Sequence, residues 1–439
     1  MSDKRTSLGV IFLTLFIDLI GFSILFPLVA AIMSHFSAEP GGLLGTWYGW
    51  LDAYFPNASP IQREALFGGI LMGLYSVLQF VCAPAWGILS DKIGRRPVLI
   101  VTILGNTAGY VLWAFADSFA LLLLSRVVCG LFSGNISVAT AAVADVTDTK
   151  NRAKGMGFVG MAFGFGFILG PAIGGTCYAL LPHFGGDVAS GGWALNPFSV
   201  AAAIAGGLSL LNLLWVVMRF RETRRGDQTS EVPVRAINPL RIFSRDNGTT
   251  VRAVVVANLL FGILFAGLEA TLVFLVAEKL GYQPGDMAWL FVVLGLTSAL
   301  VQGGIVRRMA PKHGERKLAL VGLGLMIPAF ALLGCVAWVQ SAWLLYLGVL
   351  VLGFGTGFAM PCLAALASLG ADESNQGRAL GSFRSSGALS RALGPFIGAG
   401  LYFAIGPAAP YLAGSALLIV PMLIIARIHV RGARAEGAS

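Results

Sequence analysis

Twelve apolar segments, each long enough to cross a bilayer, follow one another along this chain. They lie near residues 9–33, 66–90, 97–116, 118–143, 153–181, 197–219, 252–279, 286–306, 317–338, 342–368, 378–404 and 408–430. About 20 apolar residues span roughly 30 Å of hydrocarbon as a helix. Inside lipid every backbone N–H and C=O must find its partner within the segment, so each is expected to be helical. The composition agrees: 56% of residues are hydrophobic and 12% charged, where a soluble domain carries about 25% charge. The start, "MSDKRTSLGV", is basic. The apolar run after it is too long for a signal peptide and has no small-residue cleavage site, so the first helix is expected to stay in place.

A net charge of +9 would suit a nucleic-acid partner only if the cations formed one face. Instead they fall in blocks between apolar segments, as basic residues do on the cytoplasmic side of membrane proteins. With both termini cytoplasmic, 25 of the 30 lysines and arginines lie inside; the opposite orientation would put them outside. No nucleic-acid partner is expected, and the chain is read as a monomer in contact with membrane lipids. The five cysteines all lie in spans and the four histidines are scattered in or near loops. Neither set has metal-ligand spacing, so no metal site, cofactor or disulfide is expected. No nucleophile–base pair or phosphate-binding loop occurs within the spans, which argues against an enzyme.

The longest polar stretch, "RFRETRRGDQTSEVPVRAINPLRIFSRDNGTTVRA", divides the spans six and six. It predicts an N-terminal bundle over 1–218, a cytoplasmic linker over 219–251 and a C-terminal bundle over 252–439. The halves also resemble each other. "NRAKGMGFVGMAFGFGFILGPAIGG" in the fifth span aligns with "NQGRALGSFRSSGALSRALGPFIGAG" in the eleventh when Gly170-Pro171 is set on Gly394-Pro395, an offset of 224 residues. The same offset pairs Asn151 with Asn375, Lys154 with Arg378, Gly157 with Gly381 and Tyr178 with Tyr402. The segment 34–65 is long and aromatic. It reads either as an interfacial stretch anchored by Trp47, Tyr48, Trp50 and Tyr54 or as a lid over the outward opening.

"GILSDKIGRRP" (87–97) carries the pattern G-x-x-x-D-x-x-G-R-R between spans two and three. Its second copy, "GIVRRMAPKHGERK" (304–317), is degenerate, with Arg308 where the acid stood. "LLLLSRVVCGLFSGN" places Arg126 inside span four, and "GFGFILGPAIGG" gives G-x-x-x-G-P-x-x-G-G in span five. With "DLIGFSILFPL", "GLEATLVFL" and "RSSGALSRALGP", these stretches resemble the major facilitator superfamily, in particular its drug:proton antiporter branch and the tetracycline-resistance and tetracycline transporter-like carriers. The resemblance covers nearly the whole chain. It implies an all-α membrane protein, with twelve transmembrane helices in two parallel six-helix pseudo-repeats and the cargo site between them near the midplane. It further implies export of small amphipathic molecules driven by a proton gradient, as in antibiotic resistance and multidrug efflux. The implied location is a cell membrane, the inner membrane of a bacterium. In that frame Asp91, Arg95 and Arg96 form a gate latch or a packing motif, and Gly170, Pro171, Gly394 and Pro395 are either gating or close-packing positions.

Five ionisable residues are expected inside the membrane: Asp18, Arg126, Glu269, Arg384 and Arg391. A carboxylate near mid-bilayer costs about 2.5–3.5 kcal/mol on insertion scales, so it needs a partner, a wet cavity or a proton. Spans one and four line the central cavity in the implied fold, so Asp18 and Arg126 are expected to face each other, either as a proton-coupling pair or as a structural ion pair. Bringing a guanidinium up to a carboxylate, or removing it, changes the proton's affinity for that carboxylate. Glu269 is assigned to cargo or a second proton, and Arg391 and Arg384, seven residues apart on one helix face, to an anionic or polar group of the cargo. An internal Glu–Arg bridge is the plainer reading, with Arg384 reaching headgroups. Gln79 and Gln302, offset by 223 residues, join Asn106, Asn135, Asn212 and Asn258 as polar candidates or interhelical hydrogen bonds, and Phe22, Phe261 and Phe265 as apolar lining. The leading functional reading is a proton-coupled antiporter of amphipathic, tetracycline-like molecules. A proton-coupled organic-anion or lysolipid carrier is the second, and a non-transporting receptor or scaffold the third.

Overall fold

The computed structural model describes residues 2–39, 41–147, 152–180, 196–223, 248–372 and 376–428. The central part of the expected linker (224–247), the paired Asn151 and Asn375, and the basic tail after residue 428 lie outside the described residues. Among those described, every regular element is helical. The first half contains α1 (Ser2–Ser23), α2 (Val29–Ser37), α3 (Leu43–Tyr54), α4 (Pro60–Ile93), α5 (Arg95–Ala114), α6 (Phe119–Leu131), α7 (Asn135–Val146), α8 (Arg152–Leu180) and α9 (Ser199–Arg219). The second contains α10 (Thr249–Leu280), α11 (Pro284–Leu300), α12 (Arg307–His313), α13 (Glu315–Val339), α14 (Ala342–Leu369), α15 (Gln376–Ala404), α16 (Ala409–Leu417) and α17 (Ile419–Ala426).

Several spans are interrupted where the sequence suggests continuous helix. Span one breaks between α1 and α2 at a 3-10 turn, Phe26–Leu28, that contains Pro27. Proline has no N–H to donate, so it suits the restart of a helix better than its interior. Span four breaks between α6 and α7 at Phe132–Gly134. Span eight widens into a π-helical stretch, Val301–Val306, between α11 and α12. Among the described residues, eleven helical segments are long and apolar enough to cross a membrane. The remaining expected span, the eleventh, is present as α15, 29 residues long, and it carries Arg378, Arg384 and Arg391.

Packing divides the chain into two compact units. One joins α1–α9 with Ala270–Gly295; the other joins α12–α17 with the first part of α10, through Glu269, and the chain from Leu296 onward. Each unit is held by glycines that let helix backbones touch. In the first, Gly166, Gly170 and Gly174 of α8 form a small face, and a Cβ on each would meet Leu19, Ile20 and Ser23, and Ile24 respectively. In the second, Gly394 meets Ile263, Ala266 and Gly267, Gly398 meets Gly267, and Gly262 meets Ser390. Around these crossings the first unit buries a core that includes Val10, Leu15, Val98, Ile103, Val138, Ala162 and Val216.

Candidate transport site

Asp18 sits in α1, five residues before the break, and is 8% exposed. Two side-chain amides donate to its Oδ1: Asn106 Nδ2 from α5 and Asn135 Nδ2 from the first residue of α7, each at 2.9 Å. The break in span four turns the chain so that Asn135 opens a new helix facing α1. Neither donor is charged, and Asp18 has no ion pair among the described residues. Both asparagines are buried, and their Oδ1 atoms lack hydrogen-bond partners among the described residues. One turn toward the start of α1, Thr14 Oγ1 donates to Asn212 Oδ1 of α9 at 3.0 Å.

Arg126 does not meet Asp18 as the sequence suggested. It is 3% exposed, its guanidinium lies 4.7 Å from the Trp113 ring centroid and 5.8 Å from that of Tyr110, and its Nε donates to Ser125 Oγ. One Nη has no hydrogen-bond partner among the described residues. A guanidinium flanked by two aromatic faces is partly compensated by their quadrupoles. The Tyr110 hydroxyl fills the space beside Gly21, one turn past Asp18, while its ring lies near the Arg126 guanidinium. The Asp18–Arg126 ion pair, read as either structural or coupling, is therefore replaced by an acid–amide cluster with a separate cation–π site.

In the second unit, Glu269 lies within electrostatic reach of Arg391, and both are half-buried. Asn258 Nδ2 donates to Ser386 Oγ at 2.8 Å and to the Phe383 carbonyl at 3.2 Å, tying α10 to α15. Phe265 stacks on Phe261 with centroids 6.0 Å apart. Arg384 is exposed, unlike Arg391 on the same helix. Gln79 is buried and donates to Tyr75 Oη at 3.4 Å, whereas Gln302 is exposed on the π-helical stretch. Phe22 packs on Tyr75, Phe26 and Phe167.

At the loop motif, Asp91 pairs with Arg95, which also holds Asp145 at 3.0 Å and donates to Ser90 Oγ. Two acids not singled out from the sequence complete this cluster. Asp145 closes α7. Glu222 accepts the backbone N–H groups of Arg95 and Arg96 at 2.8 and 3.0 Å, capping α5. Arg96 donates to the Val217 carbonyl. Glu222 was hidden because it belongs to a charged run, "RFRETRR", that reads as linker. Gly170, Pro171, Gly394 and Pro395 lie in the interiors of α8 and α15, the glycines at the helix crossings described above. No cluster of three or more His, Cys, Asp or Glu able to hold a metal occurs among the described residues.

The family profile of the Major Facilitator Superfamily matches residues 11–395 and 276–437. The chain belongs to the major facilitator superfamily. It is 32% identical to human major facilitator superfamily domain-containing protein 10, over 97% of this chain and 93% of the relative. The class C tetracycline resistance protein of Escherichia coli is 30% identical, over 80% of this chain and 85% of its own. Among solved structures, the human organic anion transporter MFSD10 (TETRAN) superposes with a TM-score of 0.75 at 31% identity, covering 96% of this chain and 99% of that one. A bacterial Spinster homologue in an inward-facing, occupied conformation gives 0.68 at 15% identity, a likeness of fold alone. This facilitator is accordingly a multi-pass membrane carrier rather than an enzyme.

Proposed function

We propose that this carrier exchanges protons for small amphipathic organic molecules, with Asp18 as the proton site. The observation that carries the reading is the Asp18 cluster. A buried carboxylate held by two neutral amides, with no ion pair among the described residues, has a reason to bind a proton that a paired carboxylate lacks. Coupling requires that proton and cargo differ in affinity for the two access states. Protonation from the outer side neutralises Asp18 and favours return to the inward-facing state, and release to the cytoplasm resets the cycle for export. The charge distribution supports cytoplasmic termini in a cell membrane, and no cofactor besides the proton gradient is required.

The cargo's charge has a second reading. Arg391 beside Glu269, near the stacked Phe261 and Phe265, supports an organic anion with an apolar body, and the human relative is described as an organic anion transporter. Liposomes holding purified protein and an internal pH-sensitive dye test both readings. Amphipathic cations, zwitterions such as tetracycline, and anions are added in turn under an imposed proton gradient. Proton flux evoked by one class and reduced at least 100-fold in Asp18→Asn, with folded yield unchanged, is the expected result. Cargo movement without proton flux would sink the coupling and leave a facilitator. Arg391→Gln is expected to weaken anions selectively, and an equal loss for all three classes would remove the anion reading.

A further inference from the structure

Three oxygens at the Asp18 cluster have no hydrogen-bond donor among the described residues. Asn106 and Asn135 both donate to Asp18 Oδ1 at 2.9 Å, and Oδ2 accepts nothing. The amide oxygens of those two asparagines are buried without partners, in residues 2% and 1% exposed. The other buried asparagines of this unit are satisfied. The Phe198 N–H donates to Asn196 Oδ1 at 2.8 Å, and Thr14 Oγ1 donates to Asn212 Oδ1 at 3.0 Å. The shortfall is confined to the two amides that hold Asp18.

These oxygens are close enough to share one ion. An amide's oxygen and nitrogen are about 2.3 Å apart, which keeps both amide oxygens within about 5 Å of Asp18 Oδ1. Oxygens on one hard cation are up to about 5 Å apart, twice a bond of about 2.4 Å. A proton cannot satisfy such a set, because on Asp18 it supplies one donor and leaves two of the three oxygens unpartnered. A cation takes several oxygens at once. Amides serve either state: the nitrogen donates to the bare carboxylate, and rotation of the amide brings its oxygen to a cation beside it. An arginine in either place would repel the ion. The set carries one negative charge, which a monovalent ion neutralises, whereas a divalent ion would leave a net charge inside the membrane. All-oxygen ligation suits a hard ion. Asp18 lies just before the break in span one and Asn135 directly after the break in span four, and interrupted spans are where carriers place such ions.

We infer that Asp18, Asn106 and Asn135 form a sodium site, in which Na+ and the proton compete for one carboxylate. The competition rests on Asp18 being the proton site proposed above; binding of the ion does not, and it needs no cargo. Tyr110 of α5 and Cys129 of α6 are within electrostatic reach of Asp18, and both are ordinarily neutral at neutral pH. Arg126, beside the Tyr110 ring, keeps its charge throughout.

Binding of radiolabelled Na+ is measured on the purified full-length protein in sodium-free detergent buffer, with choline holding the ionic strength constant. Wild type is expected to bind Na+ saturably, and about tenfold more weakly for each unit of pH below the point where Asp18 takes up its proton. Asp18→Asn removes the one charge and is expected to weaken binding about 100-fold. Asn106→Leu and Asn135→Leu each remove an oxygen and are expected to weaken it about tenfold. Asn106→Asp and Asn135→Asp keep an oxygen and add a charge, so each is expected to hold Na+ at least as tightly as wild type and to gain Ca2+ binding that displaces it. Sodium over choline is also expected to raise the unfolding temperature of wild type and not of Asp18→Asn, which keeps the test open where an asparagine variant folds poorly. Aspartate variants as weak as the leucine ones overturn the inference, because the amides would then serve only as donors to Asp18. Absence of saturable Na+ binding to wild type overturns it and leaves the proton reading standing. Binding that is unchanged in Asp18→Asn, or indifferent to pH, puts the ion elsewhere and overturns it too. Sodium binding without proton flux in the liposomes keeps the sodium site and sinks the proton reading.

Discussion

The crossing of span one with span five and the crossing of span seven with span eleven share one backbone plan and carry opposite chemistry. Gly170 rests on Ile20, Ser23 and Ile24; Gly394 rests on Ile263, Ala266 and Gly267. The offset is 224 residues on one side and 243 on the other throughout, and Gly174 on Ile24 repeats as Gly398 on Gly267. In that register Asp18 corresponds to Phe261. Asn106, counted from Gly94 and Gly314 at the starts of α5 and α13, corresponds to Met326, and Asn135, counted from Gly130 and Gly357, corresponds to Cys362. All three counterparts are buried. The converse holds a few residues further on. Glu269 and Arg391 correspond to Phe26 and Phe167, whose rings touch at 5.8 Å. Each crossing therefore carries polar residues at positions whose counterparts in the other are apolar. The glycine crossings fix the backbones, and the side chains between them are free to diverge. On the proposed function, the first unit keeps the proton and the second meets the cargo.

The largest effect comes from giving the first unit the second unit's chemistry. Asn106→Leu together with Asn135→Cys leaves Asp18 buried without either donor. Two hydrogen bonds to a charged group are worth about 1.5–3 kcal/mol each, so the pair of changes is expected to destabilise the protein by about 3–6 kcal/mol. Adding Asp18→Leu should recover most of that loss, because replacing all partners by apolar groups of similar size is nearly neutral. Thermal unfolding of the single, double and triple variants closes the cycle. A double variant that loses less than about 1 kcal/mol would mean that the amides do not hold a charged Asp18.

The shared plan breaks next. A Cβ on Gly398 would stand 2.6 Å from the Gly267 Cα and carbonyl oxygen, backbone that cannot rotate away. Gly398→Ala is expected to cost about 1–3 kcal/mol by forcing the helices apart, and Gly174→Ala a similar amount against Ile24. Gly164 in α8 and Gly400 in α15 have nothing within 4 Å, so alanine there should be neutral or stabilising by up to about 1 kcal/mol through helix propensity. Equal effects at the crossing and open positions would show that the glycines do not set the interhelical distance.

Much of this plan was legible in the sequence because it rests on periodic and compositional signals. The span lengths, the Gly-Pro pairs offset by 224 and the Gln79–Gln302 offset of 223 are one-dimensional patterns. The last reappears as packing, where Gly130 lies on Tyr75 and Leu78 while Gly357 lies on Ser298 and Val301. The partners of Asp18 were not legible. They come from 88 and 117 residues away, and a buried asparagine looks the same in sequence whether it binds a carboxylate or a backbone carbonyl. Arg126 was assigned to Asp18 on charge and on the cavity-lining places that the resemblance implies for spans one and four, and neither signal shows that Trp113 and Tyr110 flank its guanidinium. Pro27 was visible, but not that the helix would end three residues before the 3-10 turn that contains it.

The smallest effect lies at the long segment before span two, which has no counterpart between α10 and α11. There α3 buries Leu44 and Leu51, and Trp47 stacks on Phe67 and meets Phe119 edge-on, while Trp50 and Tyr54 stay exposed. The Tyr48 hydroxyl is buried without a hydrogen-bond partner among the described residues. Burial pushes its ionisation above the usual phenol range, nearby Glu64 pushes the same way, and Arg63 pulls it down. A pKa raised on folding means that the neutral phenol's contribution is complete below the unfolded value of 10.0 and is lost as pH climbs past it. Tyr48→Phe removes an unpartnered hydroxyl and keeps the ring on Phe67, so the expected change at neutral pH is within about 0.5 kcal/mol. Above pH 10 the wild type should lose stability faster than the variant, read from paired melting curves. A loss of about 1 kcal/mol or more at neutral pH would instead mean that the hydroxyl anchors α3 through a partner such as Glu64, making the segment a latched lid.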